Sequence, residues 1–243
     1  MKAVLRWVLL VVLAAAMLQL FFLLRIAVMA VVDPQSTTFQ RSEAWRIATE
    51  KGKLPWRQQW VAYEAISDHL KRAVITSEDD SFTNHDGVDW EALEKAWERN
   101  SKAETQAARR AQQSRAPARA PKIVGGSTIT QQLAKNLLLS GERTLLRKGQ
   151  EIVLTFALER MLSKRRILEI YPNSVEWGEG IFGAEAAARH YYRKSAARLS
   201  AYEAARLAVM LPRPKYFEKL PNSGYLASRA SVIAGRMGGA ELP

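Results

Sequence analysis

The 243-residue sequence contains no cysteine, which excludes disulfides, thiolate-held metals and cysteine nucleophiles. Histidine is nearly as scarce. His69, His85 and His190 are the only three, and no two of them have metal-ligand spacing with a carboxylate to complete a zinc site. Acidic residues are in deficit, 24 against 36 lysines and arginines, giving a net charge of +12. Strand-like alternation is missing beyond a few residues, so the fold class is mainly α. No nucleic-acid recognition module or interleaved aromatic platform accompanies the basic charge, which therefore reads as attraction to anionic lipid heads or a phosphate-bearing substrate, with no nucleic-acid partner.

What is present begins with a long apolar run. Residues 7–24, WVLLVVLAAAMLQLFFLL, are broken only by Gln19, and IAVMAVV continues the run after Arg25. A helix rises about 1.5 Å per residue, so about 20 such residues cross the hydrocarbon of a bilayer. A cleaved signal peptide normally has a shorter apolar core, of about 7–15 residues, which favours an uncleaved transmembrane helix. Lys2 and Arg6 on the short leading side predict a cytoplasmic N-terminus and an exported domain. Residues 1–32 are thus expected to be a cytoplasmic tip and anchor, 33–55 a connecting segment that partly folds, and 56–243 the folded domain.

Within that domain, apolar spacing predicts a helix ending near the acidic stretch SEDDSFTNHDGVD at residues 77–89. A second helix follows, with Asp89 at its cap. Residues 101–122 hold seven alanines, six cations and one acid, and predict a basic mobile insertion without a core face. Thr128 and Gln131 form a capping box opening the next helix. Helices are also expected from Arg147 to about Leu162, across SKRRILEIY until Pro172 ends it, and over AEAAARHYY and SAYEAARLAVML.

Glu78 ends an apolar helix, where partial burial suits a carboxyl to proton transfer; a solvated turn is the competing reading. An EF-hand aligned on Gly87 fails, because Phe82 and Leu93 fall on ligand positions. Lys135, Arg143, Arg147 and Lys148 place four cations in 14 residues, with Glu151 beyond, a cluster suited to a pyrophosphate or to a solvated helix face.

EDDSFTNHDGVD, GGSTITQQLAKNLLL, RTLLRKGQE, KRRILEIYPN and GIFGAEAAARHYYRK occur in the order and approximate spacing of the peptidoglycan glycosyltransferases, glycosyltransferase family 51. The chain resembles the monofunctional biosynthetic members, since no Ser-x-x-Lys of a transpeptidase occurs. The resemblance implies a lysozyme-like glycosyltransferase domain that polymerises lipid II. Glu78 would be the essential general base and Glu151 the family's second important glutamate near the departing pyrophosphate, either a ligand for a divalent metal (Mg²⁺ or Mn²⁺) or an anchor for the neighbouring cations; no organic cofactor is implied. Lys135 and Arg143 match pyrophosphate-binding cations, with Arg147 and Lys148 beside them. Ser127, Thr128, Gln131 and Gln132 match donor-site positions. Asp79, Phe82 and His85 complete the first motif, His85 reading as a loop-fixing residue, and Asn173 belongs to the YPN that replaces the family's YLN. The implied partners are lipid II, the lipid-linked glycan chain and the inner membrane, with division or penicillin-binding proteins as further candidates.

Overall fold

The computed structural model describes residues 1–113, 125–142 and 144–243 of the chain. Helix α1 (Lys2–Met29) carries the apolar run, and α2 (Thr38–Lys51) follows after a short turn. The domain then runs β1 (Arg57–Gln58), α3 (Asp68–Glu78), α4 (Trp90–Gln113), α5 (Ile129–Leu138), α6 (Leu145–Met161) and α7 (Lys164–Ser174). It finishes with the hairpin β2 (Glu176–Gly178) and β3 (Ile181–Phe182), then α8 (Ala184–Tyr192), α9 (Ala201–Met210), α10 (Pro214–Lys219) and α11 (Gly224–Arg236). The architecture is mainly α, as the composition predicts. The three short strands pair in the order β1-β3-β2, with β1 parallel and β2 antiparallel to β3.

The core forms where α3 and α11 pack on α9, and where α5 lies between α6 and α7. Leu70, Val74, Leu133, Leu137, Leu158 and Ile167 are fully buried there. Their i, i+4 spacing on α3 and on α5 gives each helix one apolar face, and burying these faces supplies the main stabilising term.

Helix α1 is long and apolar enough to cross a membrane, and the most apolar part of it is not covered by protein. Its C-terminal third is packed on the domain: Phe22, Ile26 and Met29 are buried, and Gln19 exchanges two amide hydrogen bonds with Gln150 of α6, at 2.7 and 3.0 Å. Arg166 donates to the Met29 carbonyl and pairs with Asp33, fastening the exit of the helix.

Residues 33–55, expected as a connecting segment that partly folds, hold α2, which buries Gln40, Glu43 and Ile47, opens on a Thr37–Gln40 capping box and closes on left-handed Gly52. Two expectations change. The helix opened by Asp89 does not stop at Asn100 but runs on to Gln113, with Glu98 and Lys102 paired one turn apart; residues 114–122 of the predicted insertion lie outside the described residues. Pro172 does not end α7, which continues to Ser174. A proline in the last turn removes one backbone bond only, and the Asn173 side chain donates to the Glu169 carbonyl at 2.9 Å.

Candidate active site

The acidic stretch divides between two jobs. Helix α3 ends at Glu78 because Asp79 leaves the helical region at φ −165° and ψ 72°. The Asp79 carboxylate is buried and accepts two bonds, from His85 Nε2 at 2.8 Å and from the Ile129 backbone N–H at 2.9 Å. Ile129 is the first residue of α5, so the carboxylate sits where that helix's free N–H groups favour negative charge. The Gly87 N–H donates to His85 Nδ1 at 3.1 Å, which places the imidazole proton on Nε2, facing Asp79. His85 is therefore the loop-fixing residue expected.

Gly87 itself has φ +89°, and a Cβ there would stand 2.7 Å from Thr155 Cγ2. Its carbonyl accepts from Thr128 Oγ1 at 2.5 Å. Thr128 and Gln131, both buried, close the predicted capping box on each other. Phe82 is fully buried, with Lys164 Nζ 4.6 Å from its ring centre. Asp79, Phe82, His85, Thr128 and Gln131 thus build the frame. Asn173 does the same elsewhere: it is buried and clamps the Val61 backbone through both ends of its amide, at 3.1 and 2.9 Å.

Glu78 is half-buried and faces open space. Gln132 Nε2 donates to its Oε2 at 3.0 Å, and the buried Tyr171 hydroxyl donates to Gln132 Oε1 at 2.8 Å. Burial pushes the Glu78 carboxyl above its ordinary range and the adjacent Asp79 charge adds to this, while the bonds from Gln132 and Ser77 act in the opposite sense. No cation is among these influences.

Two cavities adjoin the hydrogen-bonded pair of Glu78 and Gln132, one lined by each residue. The first, about 510 Å³, is lined by Glu78, Ser127, Asp89, Lys95 and Arg99. The second, about 410 Å³, is lined by Gln132, Lys135, Arg147, Tyr171 and Glu176. Gln132 belongs to the second cavity and bonds the carboxylate of the first.

Glu151 lies on α6 with its side chain only 4% exposed. Its Oε2 accepts from Arg147 Nη1 at 2.7 Å and its Oε1 from Lys148 Nζ. The i, i+4 and i, i+3 spacings make this arrangement local to the helix. Arg147 reaches the second cavity, and Lys148 is more exposed. Lys135 lines the same cavity from α5. Arg143, expected to complete the cation cluster, lies outside the described residues.

Tyr171 and Glu176 take part in the cavity although the sequence reading did not single them out. Tyr171 stands in the motif ILEIYPN, where it reads as an ordinary core aromatic. Glu176 had a signal available, a lone carboxylate in the apolar run NSVEWG.

Comparison with known proteins places the chain in a family. The family model described as Transglycosylase matches residues 47–238. A biosynthetic peptidoglycan transglycosylase of Burkholderia thailandensis is 53% identical over 225 residues, covering 93% of this chain and 82% of the relative. Similar proteins of the same description from Paraburkholderia phytofirmans and Burkholderia pseudomallei are 51% and 52% identical, covering 93% of this chain and 87% and 82% of theirs. The chain belongs to the transglycosylase family.

Proposed function

We propose that this chain is an anchored peptidoglycan glycosyltransferase that lengthens glycan strands from lipid II, with Glu78 as the base. The observation that supports this most is the placing of Glu78: a carboxylate pushed above its ordinary range by burial, lining one cavity and hydrogen-bonded to Gln132 of the second, with no cation among the influences on it. The incoming lipid II sugar enters the first cavity, and its 4-hydroxyl gives its proton to Glu78 as the oxygen attacks. The attacked carbon is C1 of the growing chain's terminal sugar, whose pyrophosphate lies in the second cavity. Attack from the face opposite the leaving group inverts the α-linked pyrophosphate to a β-1,4 bond, and undecaprenyl pyrophosphate departs.

The leaving group is already a good anion. It needs fixed positive charge more than a protonating acid, unlike the alcohol released in glycoside hydrolysis. Lys135 and Arg147 line that cavity, and Glu151 holds Arg147 and Lys148 in place. Ser127 at the rim of the first cavity is a further substrate contact.

A resident divalent metal at Glu151 does not fit these residues. Both carboxylate oxygens already accept from cations, and no cluster of three or more His, Cys, Asp or Glu side chains occurs among the described residues. Charge neutralisation is therefore assigned to the lysines and arginines.

The first residues of α1 remain cytoplasmic and the domain faces the periplasm from the inner membrane, a reading supported by Lys2 and Arg6 on the leading side. Division or penicillin-binding proteins are candidate neighbours there. The deciding experiment is incubation of the full chain with lipid II. Polymer with release of pyrophosphate lipid is expected from the wild type and none from Glu78→Gln, with membrane binding kept. Cleavage of preformed glycan instead would identify a lytic hydrolase, and turnover by Glu78→Gln would remove the base from its role.

A further inference from the structure

Glu176 opens β2 in the wall of the second cavity, opposite the helices that bring Lys135 and Arg147. Its side chain is 6% exposed, and its Oε1 is buried without a hydrogen bond. Lys215 Nζ stands 3.3 Å from that oxygen as an ion pair and also donates a hydrogen bond to Glu43 Oε2, so one cation is shared between the two carboxylates. Trp177, the next residue, is fully buried with its indole N–H bonded to the Pro172 carbonyl, so the strand fixes the backbone that carries the carboxyl.

The charged and titratable groups around Glu176 come from six elements: Lys215 of α10, Glu43 of α2, Tyr171 of α7, Tyr191 of α8, and, across the cavity, Lys135 of α5 and Arg147 of α6. Burial is the largest influence and pushes the carboxyl up to about 7, Lys215 opposing and Glu43 adding to the rise. An ionised carboxylate in this position would repel a pyrophosphate held by Lys135 and Arg147. A neutral carboxyl would instead offer an O–H to the ligand, from a side chain whose Oε1 makes no hydrogen bond.

We propose that Glu176 is a ligand-contacting residue of this cavity: its protonated carboxyl donates a hydrogen bond to a phosphate oxygen, so that binding a pyrophosphate diester takes up one proton from solution. The proposal rests on reading the second cavity as the pyrophosphate site. No bond of the ligand is made or broken; the proton passes from the buffer to Glu176 and returns when the diester leaves.

The effect has a definite sign. With half-protonation near pH 7 in the free protein, the competent fraction falls about tenfold between pH 6 and pH 8, and affinity falls with it.

The test is calorimetry on the full chain in detergent, with a short-chain dialkyl pyrophosphate whose own charge is constant near neutrality. Titrations at pH 7.5 in two buffers of different ionisation enthalpy count the protons. The wild type is expected to take up between about half a proton and one. Glu176→Gln should bind with no uptake and with affinity flat from pH 6 to pH 8. In Lys215→Met the loss of affinity should move to higher pH, because the carboxyl loses its cation. Binding without uptake by the wild type, uptake retained in Glu176→Gln, or an unmoved midpoint in Lys215→Met would each overturn the role of Glu176 alone. A diester that fails to bind the wild type at any pH would overturn the cavity's assignment and this proposal with it.

Discussion

Gln132 supplies the one amide that touches Glu78, so replacing it by leucine alters the base without changing the base itself. Burial pushes the Glu78 carboxyl up and the Gln132 bond holds it down. Removing that bond therefore leaves the carboxyl protonated to a higher pH. A hydrogen bond to a charged group contributes about 1.5–3 kcal/mol, which is roughly a tenfold to hundredfold change in the ionised population below the carboxyl's midpoint. The assay is the initial rate of lipid II polymerisation across pH 6 to 9.5. The acid limb of kcat should move to higher pH, with the deficit largest at the acid end and recovering as pH rises. A deficit of one constant factor at every pH would refute the reasoning.

Stability separates this effect from damage to the fold. Gln132→Leu leaves the buried Tyr171 hydroxyl without its acceptor, at a cost of about 1–3 kcal/mol. Adding Tyr171→Phe removes the orphaned group. The double variant should then regain most of the lost stability while its rate at neutral pH stays low. Recovery of stability and rate together would mean that the single variant acted through the fold.

Glu78→Gln should stabilise the protein, with a pH signature. The folded carboxyl sits above its unfolded value, so wild-type stability falls as pH rises from the unfolded value through the folded one, while glutamine does not titrate. Melting temperatures of the two should converge near pH 4 and separate by pH 8 in favour of the variant; a constant gap would refute this. Glu151→Gln removes the charge that holds Arg147 and Lys148, lowering stability by about 1–3 kcal/mol and raising KM, with the pH profile keeping its wild-type shape. A displaced acid limb would make Glu151 a titrating participant instead. Gly87→Ala combines a left-handed backbone with a Cβ 2.7 Å from Thr155, and should lower the melting temperature by roughly 5–15 °C. An unchanged melt would count against the fit of this loop to α6.

What could be read from the sequence was what is local. The capping box at Thr128 and Gln131 depends on a spacing of three, and the Asp89 cap on the residues just after it; both are present. Helix α2 carries the same signal at Thr37 and Gln40, but its apolar face is thin, with Ile47 its one fully buried large aliphatic, so the segment reads as a partly folded connector and not as a defined helix. The continuation of α4 is hidden in the sequence for a different reason. Alanine, lysine, glutamate and glutamine sustain a helix by propensity and i, i+4 pairing without a core face, so the absence of large apolar residues did not exclude one. Pro172 is tolerated in α7 because a proline's cost depends on how much helix follows it, and here only two residues do. The contact of Tyr171 with Gln132 spans 39 residues and the bond of Asp79 to Ile129 spans 50, and neither distance is visible in spacing.

Three glutamates around the two cavities occupy three different electrostatic settings, and the settings fit a division of labour. Glu78 has an amide and no cation, so its proton affinity is set by burial and remains available for chemistry. Glu151 has two cations, one on each oxygen, and its charge positions them. Glu176 has one cation shared with a second carboxylate, which leaves it balanced near neutrality. Exchanging the settings would disable each in a predictable way. A cation beside Glu78 would hold it ionised and weaken it as a base, and burial of Glu151 without its partners would leave Arg147 and Lys148 unanchored. The basic excess of the chain therefore serves catalysis by what it leaves alone as well as by where it is gathered: the second cavity holds cations a pyrophosphate needs, and no cation is among the influences on the Glu78 carboxyl.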